Sequence, residues 1–179
     1  MKKITILLVT LFLSTSLMAA GSDSSSDTSK DSLYDDAVKL VKRAGKLEKK
    51  EKLDKAKKLY AEAFSKLEKA YKSDKKNPDI LNYMGFTTRK VGNFDQAEKF
   101  YLEGLKIKPN HNGINEYLGE LYVQTNQIDK AKKIYAQAFK KLEKAYKTDK
   151  KNPDILNYMG YTTRKVGNFD QAEKFYLEG

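Results

Sequence analysis

A chain of 179 residues, 40% hydrophobic and 33% charged, has material for one ordinary domain or a short repeat array. Three prolines and ten glycines exclude collagen-like and Pro/Gly-rich disordered classes, and zero cysteines exclude a disulfide scaffold, a thiolate zinc site, a cysteine nucleophile and a lipidated N-terminal cysteine. The net charge is +11, and a single histidine, His111, cannot supply a multi-histidine metal site.

Lys2 and Lys3 precede an apolar run from Ile4 to Met18, followed by Ala19 and Ala20. A basic start, a short apolar stretch and small residues at the exit predict a secretory signal peptide over residues 1–20. The run is broken by Thr10, Ser14, Thr15 and Ser16 and falls short of the ~20 apolar residues that span a bilayer. Its removal lowers the charge from +11 to +9, because Lys2 and Lys3 leave with it. The expected mature protein has no membrane span and is periplasmic or secreted.

Residues 21–33 begin GSDSSSDTSKDS, with no large apolar side chain before Leu33. Such a stretch buries too little surface to offset its ordering entropy, so it is expected to be a disordered tether.

The remaining residues, 34–179, repeat. Residues 53–104 and 128–179 align at an offset of 75, with 46 of 52 positions identical. The differences are Leu53/Ile128, Leu59/Ile134, Glu62/Gln137, Ser65/Lys140, Ser73/Thr148 and Phe86/Tyr161, and only Ser65/Lys140 introduces a cation. A shorter period lies inside. Counting Pro78 as position 1, Leu81, Met84, Gly85, Ala97, Tyr101 and Pro109 fall at positions 4, 7, 8, 20, 24 and 32. The same register restarts at Ala37, Asn112 and Pro153, and the fourth unit, which reaches Gly179, is expected to be truncated. Leu81 with Met84, and Phe100 with Tyr101 and Leu105, recur at helical spacing.

This pattern resembles the tetratricopeptide repeat, a 34-residue helix–turn–helix unit. The resemblance implies an all-α fold: an α-solenoid of stacked antiparallel helix pairs forming a right-handed superhelix. Thr88 and Thr163 depart from it, since that position usually holds Tyr.

Helix ends carry their own signals. Asn77 before Pro78, and Asn152 before Pro153, predict an N-cap followed by proline in the first turn. Asp95 with Glu98, and Asp170 with Glu173, predict capping boxes. Gly92 and Gly167 stand where a helix must stop in the left-handed region. Gly at position 8 is expected to let the two helices of a pair approach, with Ala at position 20 answering it. The segment LEKAYK, at 67–72 and 142–147, predicts two extra turns in the second helix of the first and third units.

Catalytic patterns are sparse. His111 follows Pro109 and Asn110 and reads as a turn residue. Carboxylates alternate with lysines, as on solvated helix faces. No phosphate loop, metal spacing or nucleophile elbow is present in the sequence. The chain therefore reads as non-catalytic, with no cofactor and no metal.

The resemblance instead implies a binding groove lined by the first helix of each pair. Carried over residue by residue, it points to Asp79, Asn82, Phe86, Arg89 and Lys90 in the second unit. The third supplies Glu116, Glu120 and Gln124, and the fourth Asp154, Asn157, Tyr161, Arg164 and Lys165. Asparagine can both donate to and accept from a peptide backbone. Arginine can fork onto a carboxylate, and flat rings give contact at low entropy cost. An extended peptide or protein segment is the expected partner.

Residues 75–135 also resemble small exported tetratricopeptide-repeat proteins of Gram-negative bacteria. The resemblance implies a protein–protein scaffold or adaptor of the bacterial envelope. The alternatives are a charge-driven binder of anionic envelope material and an accessory subunit of an envelope enzyme complex. Nucleic acid is not an expected partner, because lysines and glutamates interleave and no unbroken basic stripe forms. The uncapped last helix, around Phe175 and Tyr176, is the expected place for self-association.

Overall fold

The structure is a computed structural model that describes residues 26–179. The expected signal peptide, 1–20, lies outside the described residues, as do residues 21–25 of the expected tether. Within residues 26–33 the tether reading does not hold, because a helix already begins at Ser26.

Eight helices follow one another: α1 Ser26–Glu48, α2 Leu53–Ser73, α3 Pro78–Val91, α4 Phe94–Ile107, α5 Asn112–Gln124, α6 Ile128–Thr148, α7 Pro153–Lys165 and α8 Phe169–Glu178. No strand occurs among the described residues. Odd and even helices pair as hairpins, and each hairpin touches the next. The pairing is antiparallel. Near the start of α3, Leu81 approaches Gly104 near the end of α4, and Gly85 meets Tyr101 between them. This is an all-α solenoid of stacked antiparallel helix pairs.

The core is a relay of small clusters rather than one centre. Ala37, Leu67, Ile80 and Met84 join α1, α2 and α3. Tyr101, Ile114, Leu118 and Tyr135 join α4, α5 and α6. Leu142, Leu156, Met159 and Phe175 join α6, α7 and α8. Each hairpin buries its apolar stripe on a neighbour, as solenoids require. A side chain as buried as Leu67 or Leu118 contributes roughly 1.5–3 kcal/mol. Phe175, expected at an open edge, is 8% exposed and packs beside Phe139, while Tyr176 and Leu177 remain exposed.

The close approach within the last three hairpins has a different cause from the expected one. At Gly85, Gly119 and Gly160 the neighbour is the Tyr ring at position 24, not the small Ala at position 20. A Cβ on Gly85 would stand 2.5 Å from Tyr101 Cε1, and one on Gly160 would stand 2.7 Å from Tyr176 Cε1. The ring therefore lies flat against helix backbone.

Asn77 and Asn152 cap α3 and α7 as the sequence predicts, each accepting two backbone N–H bonds. Gly92 and Gly167 adopt φ of 95° and 91°. The expected capping boxes are displaced by two residues. Asn93 and Asn168 are the N-caps, accepting from the N–H of Gln96 and Gln171. Asn93 Nδ2 also donates to Gln96 Oε1 at 2.8 Å, which makes the exchange reciprocal. Asparagine at the cap position outcompetes the aspartate two residues later, which falls inside the first turn.

The long helices α2 and α6 each have 21 residues against 14 in α4. Their added turns are used. Tyr71 of α2 donates to Glu103 of α4, and Tyr146 of α6 donates to Glu178 of α8 at 3.3 Å.

Candidate functional site

The odd helices α1, α3, α5 and α7 build one face. Phe86, Arg89 and Lys90 sit three and four residues apart and share a side of α3. Glu116, Glu120 and Gln124 do the same on α5, and Tyr158, Tyr161 and Lys165 on α7. The charges interlock across helices. Lys90 Nζ lies 2.8 Å from Glu48 Oε2 of α1. Arg89 Nη2 donates to Glu120 Oε2 at 3.0 Å, and Nη1 donates to Gln124 Oε1 at 3.3 Å. Lys165 Nζ stands 3.9 Å from Glu120 Oε1, so one carboxylate joins α3 and α7.

Aromatic rings run beneath this ladder. Phe86 meets Tyr117 at 4.9 Å between centroids, and Tyr158 stacks on Tyr161 at 5.7 Å. Arg89 lies over both Phe86 and Tyr117, at 5.7 and 5.8 Å. Lys165 lies 5.1 Å over Tyr161. Cations over ring faces gain quadrupole attraction and cover apolar area at once.

Burial shapes the titration of this face. Burial pushes the Glu116 carboxyl above its usual range, and the neighbouring Glu120 charge adds to this. The Tyr158 and Tyr161 hydroxyls are pushed well up, first by burial. Tyr135, beneath them on α6, rises to about 12, again first by burial. Neutral phenols near a half-buried carboxyl suit hydrogen bonding to a polar chain.

The expected site residues divide into three groups. Phe86, Arg89, Lys90, Glu116, Glu120, Gln124, Tyr161 and Lys165 are brought together. Asp79 and Asn82 belong instead to the joint between α3 and α5. Asn82 is buried to 7% exposure beside Gly113, so its amide does not face a groove. Asp79 Oδ1 accepts from His111 Nε2 at 2.8 Å. His111 is more than a turn residue. It is buried and caps α5, its Nδ1 accepting from the Ile114 N–H at 3.1 Å. Asp154 and Asn157 form the third group, with Arg164. They are exposed on α7, and Arg164 reaches only the Tyr161 ring, at 6.0 Å.

Arg89 was expected to fork onto a partner's carboxylate, but its fork is occupied by Glu120 and Gln124. Its copy Arg164 has no carboxylate in ion-pair range among the described residues. Sequence reasoning missed Glu48, Tyr117 and Tyr158. The tyrosines did carry a signal: Tyr83, Tyr117 and Tyr158 share position 6 of their units. Among the described residues, no group of three or more His, Asp or Glu is placed to hold a metal ion. No described helix is long and apolar enough to cross a membrane.

Comparison with known proteins agrees with the geometry. The family profile of the tetratricopeptide repeat matches residues 84–111 and 118–140. An uncharacterized protein, ycf37 of Guillardia theta, is 33% identical over 75 residues, 41% of this chain and 42% of its own. A TPR repeat-containing protein of Dictyostelium discoideum is 26% identical over 98 residues, 55% of this chain and 37% of its own. The chain thus spans about two fifths of the curated relatives it matches. Among solved structures, pilF of Pseudomonas aeruginosa aligns at 20% identity and TM-score 0.47, covering 85% of this chain and 75% of that one. A thermophilic TPR protein of Thermus thermophilus aligns at 20% identity and TM-score 0.47, covering 79% and 72%. The profile match thus identifies tetratricopeptide repeats at residues 84–111 and 118–140, and the same Gly–Tyr contact and hairpin stacking recur at Gly160 and Tyr176.

Proposed function

We propose that this chain is a non-catalytic adaptor of the bacterial envelope that holds an extended protein segment along its odd-helix face. Tetratricopeptide repeats in general serve as protein–protein interaction scaffolds. The observation that carries the finer reading is the gradient along that face. Arg89 and Lys90 of α3 are already paired with Glu120 and Glu48, whereas Arg164 of α7 is exposed and touches only the Tyr161 ring. A partner strand gains most where groups have not already satisfied one another. Its acidic side chain meets Arg164, and its apolar side chains meet the Tyr158–Tyr161 stack. Placement in the envelope rests on the signal-like residues 1–20 alone.

The test is capture of envelope proteins by the purified chain, compared with Y158A, R164A and the double variant. The reading expects the captured partner to be lost from the double variant while helix content is unchanged. Undiminished capture contradicts it. A fall in binding of ~100-fold or more between ~50 and ~200 mM salt would instead mark charge-driven attachment to anionic material.

A further inference from the structure

A cavity of about 390 Å³ opens between α6 and the α7–α8 turn. Tyr135, Phe139 and Val166 give it apolar walls, and Thr163 forms part of its floor. Thr163 is 5% exposed, and its hydroxyl has no hydrogen-bond partner. The copy of this residue, Thr88, donates to the Met84 carbonyl at 2.5 Å, so the unsatisfied hydroxyl is peculiar to this place.

The chain itself shows what fills such a seat. Thr163 occupies position 11 of its unit, and position 11 of the preceding unit is Tyr122. Tyr122 is 5% exposed within the cluster that includes Ala97 and Tyr101. Its hydroxyl donates to Glu98 at 2.7 Å, and Lys130 lies 5.1 Å over its ring. The seat between α4 and α6 is thus closed by a phenol. Between α6 and α8 that position holds threonine, as it does at Thr88 between α2 and α4, and the cavity beside Thr163 stands open.

The rim differs in charge as well. Lys140 lines the cavity, and it is the one duplicated position where a neutral residue, Ser65, has become a cation. Glu143 shares the rim, but Lys141 and Lys144 flank Lys140 around an adjoining depression, so cations outnumber it.

We propose that this cavity is a binding site for a small aromatic acid: one ring seated where Tyr122 sits in the preceding unit, a polar atom meeting the Thr163 hydroxyl, and a carboxylate at Lys140. The ring contributes apolar burial, and the rim cation adds a charge-assisted hydrogen bond.

Titration of the full chain with 4-hydroxyphenylacetate, followed by amide chemical shifts, tests this. The expected result is a saturable shift centred on Ala136, Lys140 and Thr163, with a Kd near or below about 1 mM. K140S, which restores the residue of the first copy, should weaken the acid about three- to tenfold and leave p-cresol unaffected. T163Y should abolish both by filling the seat, and T163L provides a second filler should T163Y fold poorly. Absence of saturation overturns the proposal. So do shifts that persist at full size in a folded T163Y or T163L.

Discussion

Arg89 and Glu120 meet at 3.0 Å across the joint between α3 and α5, with the arginine side chain only 10% exposed. Tyr117 and Phe86 enclose the guanidinium, and Gln124 takes its second arm. The pair therefore acts as a clasp between the second and third hairpins. Neutralising Glu120 leaves a mostly buried cation with neutral acceptors alone. E120Q should destabilise the chain by about 1–2 kcal/mol, less than a fully buried pair because Glu120 is itself 30% exposed. R89A/E120A should show coupling in a double-mutant cycle by urea unfolding. Strict additivity would mean the clasp contributes nothing.

Gly85 and Gly92 are needed for different reasons, seven residues apart. At Gly85 any Cβ collides with the Tyr101 ring. At Gly92 there is space, but φ is 95°. G85A should cost about 1–3 kcal/mol through overpacking, and asparagine should be worse. G92A should cost about 1 kcal/mol, and G92N should recover part of it, because asparagine tolerates the left-handed region. Equal effects of asparagine at both sites, read from thermal melts, would contradict this.

His111 joins two hairpins through one ring: Nδ1 caps α5, and Nε2 reaches Asp79 on α3. H111A should lose about 1 kcal/mol, typical of a missing N-cap. H111N should restore the cap but not the link to Asp79. Hydrogen exchange at Ile114 reads the cap directly, and unchanged protection in H111A would refute the assignment.

Glu116 gives the face a pH dependence. Its carboxyl lies above the usual 4.5, first because of burial, so the folded state binds its proton more tightly than the unfolded state. Its ionisation therefore opposes folding, and stability is lost as pH rises from 4.5 through the raised value. E116Q removes that penalty. The variant should be more stable than the parent at pH 7, and the difference should shrink to nothing near pH 4. A constant difference across this range would mean burial does not govern the group.

Much of this fold is legible in the residues themselves. Asn77-Pro78 and Asn152-Pro153 announce helix starts, and the spacing of Gly85 to Tyr101 announces a hairpin. Local signals failed where environment decides. Asn82 and Asn157 have identical neighbours in sequence, yet α5 covers the first, while the second stands exposed beside Phe175, Tyr176 and Gly179. Arg89 and Arg164 diverge for the same reason, since Glu120 and Gln124 arrive some thirty residues after Arg89. Tyr117 and Tyr158 were hidden because a tyrosine at helical spacing reads equally as core.

The most direct test of the odd-helix face places a photo-crosslinking residue at Arg164 on α7 or, as the opposing control, at Glu173 on α8, in cells making the full chain. Binding along the odd helices predicts a crosslinked partner from position 164 that is lost when Tyr158 is also replaced by alanine, with little product from position 173. A partner trapped from position 173 and not from 164 would contradict the account.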